Sequence, residues 1–569
     1  MSVQSYYARR FLCATACATA ILSVATGLQA APLPGPADAG RIDQREGVRV
    51  PEPNLLPPVQ QKAVVPLPSV PENSRQVRLT LRNLRIVGMS VFAIDDVKDI
   101  YAPYLDREVT LDTVWKIAGQ LTEHYHDAGY FLARVTVPQQ EIKDGVVVLR
   151  VVEGYVGEVK LDDPLAEKVI VKEWIDKILS CHPVKAEQIE SALLHLNDLP
   201  GVNLRAVMEP IERTEEDGGA VRLILERKKT PLVSGTLGFD NNGSRFLGPY
   251  EAQMQAQANF FPMQRTTLAL LSSLPWHELK YGSLKHELPV FAGGTVELYG
   301  AYTTAMPGYT LKVEDIKSRS TTLGVAFDYS IIRQREENLS GRIAFEAHNI
   351  ATDMLGATLT KDDIRALRLN LNYQRADAWN GQNMLDGTVS RGVDFLGASQ
   401  PGQKNLSRAN AKPNFTKVDL NASRLQGITQ DWTIFTAVSA QAASGTLYAS
   451  EQFGYGGQAF GRAYDDSEIT GDQGVAASAE LRYAGFHSWH GFQPVPYEFY
   501  DIGAVWNEGQ DSTMTYAMGS SAGAGFRILS DIGLSTNFGL AFPLSRRISN
   551  PIYGNGKNPR YFIQVSYAF

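Results

Sequence analysis

The chain has 569 residues, 20% of them charged, and a formal net charge of −7. That acidic balance argues against general nucleic-acid binding, and the length is enough for several domains. Three cysteines are too few for a disulfide-stapled scaffold.

Arg9 and Arg10 precede an apolar run from Phe11 to Val24, and Gln29-Ala30-Ala31 closes it with small residues. A basic start, a short apolar core and a small-residue exit predict a secretory signal peptide over residues 1–30, cut after Ala30 and too short to span a membrane. Arg9-Arg10-Phe11-Leu12 lacks the residue that a twin-arginine signal carries between the arginines and the Phe, which favours ordinary unfolded export. Cys13 and Cys17 leave with that peptide. Cys181 then stands alone, so no intrachain disulfide is expected, and it reads as a small buried apolar residue.

Residues 31–75 read as an N-terminal helix over 37–46 and an extended linker. Pro51, Pro53, Pro57, Pro58, Pro66, Pro68 and Pro71 forbid a helix or central strand there. Residues 76–153 follow as β-α-α-β-β: a strand over 77–84, a helix over 111–128 through Val114, Ile117, Leu121 and Tyr125, and strands over 134–137 and 146–152. Residues 154–229 repeat the scheme, with strands over 157–161, 204–209 and 220–226 and helices over 165–179 and 186–198. Two such units imply tandem α+β modules. Glu215-Glu216-Asp217 reads as solvated loop.

Helical periodicity disappears over residues 230–569. The stretches 295–302, 364–373 and 561–569 alternate with period two, and no run reaches the ~18 to 20 apolar residues of a membrane helix. A transmembrane β-barrel escapes that test because half its residues face a polar lumen. At ~21 residues per strand plus loop, the region accommodates about sixteen antiparallel strands. The terminal run sets Tyr561, Ile563, Val565, Tyr567 and Phe569 on one face, with smaller or polar residues expected opposite. Tyr567 and Phe569 are therefore the candidate assembly signal. A soluble β-sandwich would leave those aromatics uncovered.

No reaction chemistry stands out, and neither a cofactor nor a metal is expected. The nine histidines have no ligand spacing, and there is no Gly-x-Ser-x-Gly elbow or phosphate-binding loop. Asp362-Asp363 and Asp465-Asp466 are adjacent on extended chain, so their carboxylates diverge. The more telling pair is Gly461-Arg462-Ala463-Tyr464 and Phe499-Tyr500-Asp501-Ile502-Gly503. An arginine in a glycine-rich loop and an aspartate on a later strand can lock a loop inside a barrel.

Several motifs carry a specific resemblance. Gly129-Tyr130, Val137-Pro138-Gln139-Gln140, Asp144-Gly145 and Val152-Glu153-Gly154 resemble a first polypeptide-transport-associated (POTRA) domain, and 193–202 (LLHLNDLPGV) a second. Residues 237–248 (LGFDNNGSRFLG) resemble the first barrel strand and its turn. In this order they resemble a transporter of the two-partner secretion pathway, the haemolysin/haemagglutinin exporters, in the superfamily of BamA barrel-assembly proteins. One departure is Ala463, where the family carries glycine after the arginine. The resemblance implies periplasmic POTRA domains, an outer-membrane pore and a secreted exoprotein captured through its N-terminal secretion domain without ATP. Outer-membrane lipid, periplasmic chaperones and the barrel-assembly machinery are the other implied partners. It assigns a pore-loop lock to Gly461, Arg462, Tyr464, Asp501 and Gly503, cargo recognition to Pro138, Gln139, Gln140, Asp198, Pro200 and Gly201, and a plug to 37–46. The alternatives are an outer-membrane assembly factor of the same superfamily and, less favoured, a passive porin.

Overall fold

The computed structural model describes residues 33–42, 45, 52–53, 70, 72–211, 219–508 and 515–569. The signal peptide, Glu215-Glu216-Asp217 and most of the proline-rich linker lie outside the described residues.

The first module packs α1 (Ile94–Tyr101) and α2 (Leu111–Asp127) on its strands. Helix α2 buries Val114, Ile117, Ala118, Leu121, Thr122 and Tyr125, the i, i+3, i+4 stripe visible in the sequence. The strand expected over 77–84 is divided. Arg78–Leu81 forms a separate ribbon with Arg107–Thr110, while Asn83–Val87 pairs in parallel with Val146–Val152. The break falls at Arg82, where the N–H groups of Arg82 and Asn83 both donate to the Gly145 carbonyl, at 2.9 and 3.3 Å. In the second module α3 (Val169–Leu179) and α4 (Ala186–Asp198) cover a sheet ordered Tyr155–Lys160, Ala220–Arg227, Leu204–Pro210. Cys181 is partly buried against that core and its thiol donates to the Lys177 carbonyl.

Sixteen antiparallel strands then close a barrel. Period two governs it: along Ala357–Asp377, Leu367, Leu369 and Leu371 are exposed on the outer wall, whereas Ile364 and Ala366 are buried inside. Strand length varies from eight residues in Val233–Asp240 to 21 in Ala357–Asp377. Asp362 and Asp363 diverge as expected. Asp362 accepts the buried Ser407 N–H, while Asp363 takes Lys361 at 3.5 Å.

The barrel closes where Arg560–Ala568 meets Val233–Asp240. Their register runs through only five pairs, from Gln564↔Asp240 to Ala568↔Thr236, against eight between Val233–Asp240 and its other neighbour. Phe569 extends this seam by exchanging two backbone hydrogen bonds with Gly235, at 2.9 and 3.0 Å. Tyr561, Tyr567 and Phe569 face outward as expected, but the opposite face is not all small or polar. Phe562 points inward and packs against Phe499. Removing Phe569 deletes both terminal bonds and an outward aromatic from the shortest ladder. The expected result is a markedly weaker heat-modifiable band in outer-membrane fractions, and a band of wild-type intensity contradicts it.

Candidate functional site: the barrel interior and its two modules

The sixth connection on the side away from the modules, residues 444–472, does not leave the barrel. It folds inward as a small hairpin, Phe453–Tyr455 against Ile469–Gly471, with Gly461-Arg462-Ala463-Tyr464 at its tip. Arg462 reaches Asp501 on the wall strand Phe492–Trp506. Its backbone N–H donates to Oδ2 at 3.0 Å, Nε to Oδ2 at 3.2 Å and Nη2 to Oδ1 at 3.0 Å. Ser478 and Ser521 donate the remaining bonds to Asp501, which is fully buried. The guanidinium lies 3.6 Å above the Phe499 ring, so both its edge and its face are held.

The sequence pair is thus in contact, with a member the sequence reading missed. Arg462 Nη1 also donates to Glu480 Oε2 at 2.5 Å, and Glu480 binds Arg482 and Arg527, each at 2.7 Å. Glu480 lies on the adjacent strand Gln473–Tyr483, and no local motif marks it; only strand register brings it to the arginine. Gly503 supplies space, since a Cβ there would stand 2.2 Å from the Tyr455 ring. The concern raised by Ala463 resolves through its neighbour: Gly461 takes the positive φ (+82°), while Ala463 is fully buried at ordinary φ. Tyr464 donates from its hydroxyl to the carbonyls of Ser520 and Arg546, both at 3.1 Å. A second fastening ties the loop to the seam. Arg245 binds Asp465 at 2.6 Å and Glu468 at 2.8 Å, and Arg560 donates to the Tyr464 carbonyl at 2.6 Å.

The N-terminal segment lies in the same interior. Residues 35–41 form two short 3-10 turns, Gly35–Ala37 and Ala39–Arg41, in place of one helix from residue 37; Ile42 and Arg45 are helical. Arg41 donates to the carbonyls of Ala449 and Gln452 at 2.7 and 2.9 Å, and Arg45 clasps Glu251 with both Nη atoms. Glu52 reaches Arg482 at 2.6 Å. The segment therefore carries a charge pattern matched to the loop and the wall: Arg41 sits near Glu451 of the loop, Arg45 on Glu251, and Glu52 on the arginine that also holds Glu480.

The module motifs make hydrogen bonds within the modules and to the barrel. Pro138 ends the strand Arg134–Thr136, and the Gln140 amide then takes the next ladder position, accepting from Val148 N–H at 2.7 Å and donating to Val148 O at 2.8 Å. Asn197 treats Leu204 in the same way in the second module. Gln139 has no side-chain bond described here. Glu153 accepts from Ser90 N–H, Val91 N–H and the Tyr125 hydroxyl. Burial would raise its pKa, but these donors outweigh it and hold the carboxyl below the usual range. Asp198 is bound bidentately by Arg333, at 2.6 and 2.8 Å, on a module-side turn of the barrel. Glu190 pairs with Arg335, and Glu173 accepts the Ala292 N–H, so α3 and α4 both grip barrel turns. The Gly201 carbonyl accepts from Arg227 and Thr230 at the same junction, which Pro200 precedes. His195, stacked on Trp174 at 4.1 Å, has its pKa pushed down to about 4 by burial and is neutral at this interface.

Comparison with known proteins now decides the family. The profile described as haemolysin secretion/activation protein ShlB/FhaC/HecB matches residues 294–526, and that of the ShlB-type POTRA domain matches 79–154. The chain belongs to this family. It is an outer-membrane pore that secretes a partner exoprotein, with its POTRA domains in the periplasm. The heme/hemopexin transporter protein HuxB of Haemophilus influenzae (strain 86-028NP) is 23% identical over 475 residues, 80% of this chain and 82% of HuxB. The CdiB structure from Escherichia coli superposes with TM-score 0.72 at 17% identity, over 95% of this chain and all of CdiB. BamA from Haemophilus ducreyi, lacking POTRA domains 1–3, gives 0.50 at 13% identity over 86% of this chain and all of that one. These structural likenesses show the fold alone. For this two-partner secretion transporter, the side away from the POTRA domains is the cell exterior, and residues 444–472 are its sixth extracellular loop.

Proposed function

We propose that the chain is the dedicated pore for one exoprotein, with no reaction of its own, and that the described form is its closed resting state. The observation that carries this reading is the N-terminal segment inside the barrel, bonded through Arg41 and Arg45 to the inward loop and the wall. These bonds are electrostatic: Arg41 donates to backbone carbonyls of the loop, and the nearby Glu451 is held by Arg368 and Lys417 at 2.7 and 2.9 Å. The segment can therefore withdraw without stranding that carboxylate. The Arg462 lock stays closed during withdrawal and holds the loop against the wall, leaving the vacated space as the path. Folding of the exoprotein outside supplies direction, since no ATP is available there.

Cargo enters by strand addition to the POTRA sheets. Gln140 fills the place beside Val148 where Arg134–Thr136 ends, and Asn197 caps Leu204 on an edge strand, which directs addition to the opposite edges, Asn83–Val87 and Tyr155–Lys160. Pro138, Gln139, Pro200 and Gly201 lie beside the other edges, next to Arg134–Thr136 and Leu204–Pro210, and meet the captured chain from that side. Asp198 acts by fixing the second POTRA domain on Arg333, so that captured chain is presented at the pore mouth. Before any of this, chaperones and the assembly machinery read the terminal Tyr567 and Phe569.

A tether tests the resting-state reading. A Cβ at Gly40 would lie 3.2 Å from the Ser450 Cβ, close to the ~3.5 to 4.5 Å of a disulfide, with the Ile350 terminal methyl giving way. The pair Gly40→Cys with Ser450→Cys should block exoprotein release when oxidised and restore it on reduction. Undiminished release from the oxidised form rules out withdrawal of the segment.

A further inference from the structure

The outer wall of the barrel carries a group of cations that neither the lock nor the plug uses. Near the extracellular ends of adjoining strands, Arg319, Lys361, Arg365 and Arg391 all lie on the lipid-facing rows. Arg319 stands opposite Ala351, and Ala351 opposite Lys361, so the two cations are two strands apart, roughly 10 Å. Arg365 follows four residues after Lys361 on the same face. Its guanidinium is fixed by Asn349 Oδ1 at 2.7 Å and the Leu396 carbonyl at 3.0 Å. Arg391, on the next strand, donates to Thr416 Oγ1 at 2.6 Å. Two acids accompany them at longer range, Asp353 at 3.4 Å from Arg319 and Asp363 at 3.5 Å from Lys361. Four cations against two acids leave an excess of two positive charges. Arg319 and Lys361 remain 61% and 54% exposed.

Toward the membrane interior the same face becomes apolar. Leu367, Leu369 and Val389 are exposed there, and Phe345 stacks with the exposed Phe395 at 6.4 Å beside the exposed Leu396. Cations on a lipid-facing wall are costly at mid-membrane and are tolerated near the interface, where they meet headgroup phosphates. A row of fixed guanidinium groups above an apolar, aromatic floor suits a ligand with phosphates at one end and acyl chains at the other. We propose that this face binds a phosphorylated glycolipid of the outer leaflet, its phosphates on Lys361, Arg365 and Arg391 and its acyl chains on the floor below.

The test uses the full-length protein in non-ionic detergent and measures retained lipid by native mass spectrometry. The probes are bis-phosphorylated lipid A, its dephosphorylated form and inorganic phosphate. The phosphorylated lipid should be preferred, and affinity should fall about fivefold for each cation removed in Arg391→Gln and in Arg365→Gln with Arg391→Gln. Inorganic phosphate at equal concentration should not displace it. Lys361→Gln, on the exposed rim, gives a second variant if the arginine variants lose their heat-modifiable mobility. Equal retention of the dephosphorylated lipid, wild-type affinity in the variants, or displacement by inorganic phosphate alone each overturns the proposal.

Discussion

Arg462→Ala should reduce exoprotein in the medium to a small fraction of wild type while heat-modifiable barrel remains in the outer membrane. The geometry explains the asymmetry. Glu480 keeps Arg482 and Arg527 when Arg462 is truncated. Among the described residues Asp501 has no other cation, and it retains only the two serine hydroxyls and the backbone N–H of position 462. Leaving one charge of a buried pair unmatched costs about 3 to 5 kcal/mol, which is enough to release the loop tip without unfolding sixteen paired strands. Asp501→Ala should match it, because three bonds to Arg462 vanish together. Glu480→Ala should be milder, since Arg462 keeps its bidentate partner. The double variant lacking Arg462 and Asp501 side chains should be no worse than the worse single one, and additive defects would show two independent roles. Arg462→Lys should rescue little, because a lysine cannot reproduce the fork toward Asp501 and Glu480.

Deleting residues 31–46 should produce larger or more frequent openings in planar bilayers from a barrel that still assembles. Arg41 and Arg45 are then lost from the interior, along with the turns that fill it beside Ile350 and Ser450. Barrel assembly should survive because the wall ladders do not include the segment. Glu451 keeps Arg368 and Lys417, while Glu251 loses the bidentate bond from Arg45. Unchanged conductance would mean that the segment does not limit the pore.

The architecture was legible where periodicity and motif carried it. The i, i+3, i+4 stripe of α2 and the alternation of residues 364–373 each encode one local geometry, and sixteen strands followed from length. The contact between Arg462 and Asp501 was legible because both lie in short, distinctive motifs. What stayed hidden depended on register or on contacts between distant segments. Glu480 is an ordinary glutamate until the pairing of Ser478 with Asp501 places its strand beside the lock. Asp198 reads as part of a cargo motif, and nothing in that motif reveals its bond to Arg333, 135 residues away at the junction with the barrel. The expected helix over 37–46 is replaced up to Arg41 by two turns, in which Asp38 accepts from the Gly40 N–H. Arg41 donates to the carbonyls of Ala449 and Gln452, distant contacts that the segment's own sequence does not show. The strand break at Arg82 likewise depends on the carbonyl of Gly145, which no pattern around residue 82 reveals.

Cargo is expected to pass through the space that the N-terminal segment occupies at rest. Photo-crosslinking of a stalled exoprotein tests it most directly, with the reactive side chain placed in turn at Thr388 or Asn421, which line the interior, and at Phe239 or Tyr567, which face lipid beside the seam. Adducts are expected from Thr388 and Asn421 and none from Phe239 or Tyr567. Adducts confined to the seam positions, with secretion continuing, would contradict it.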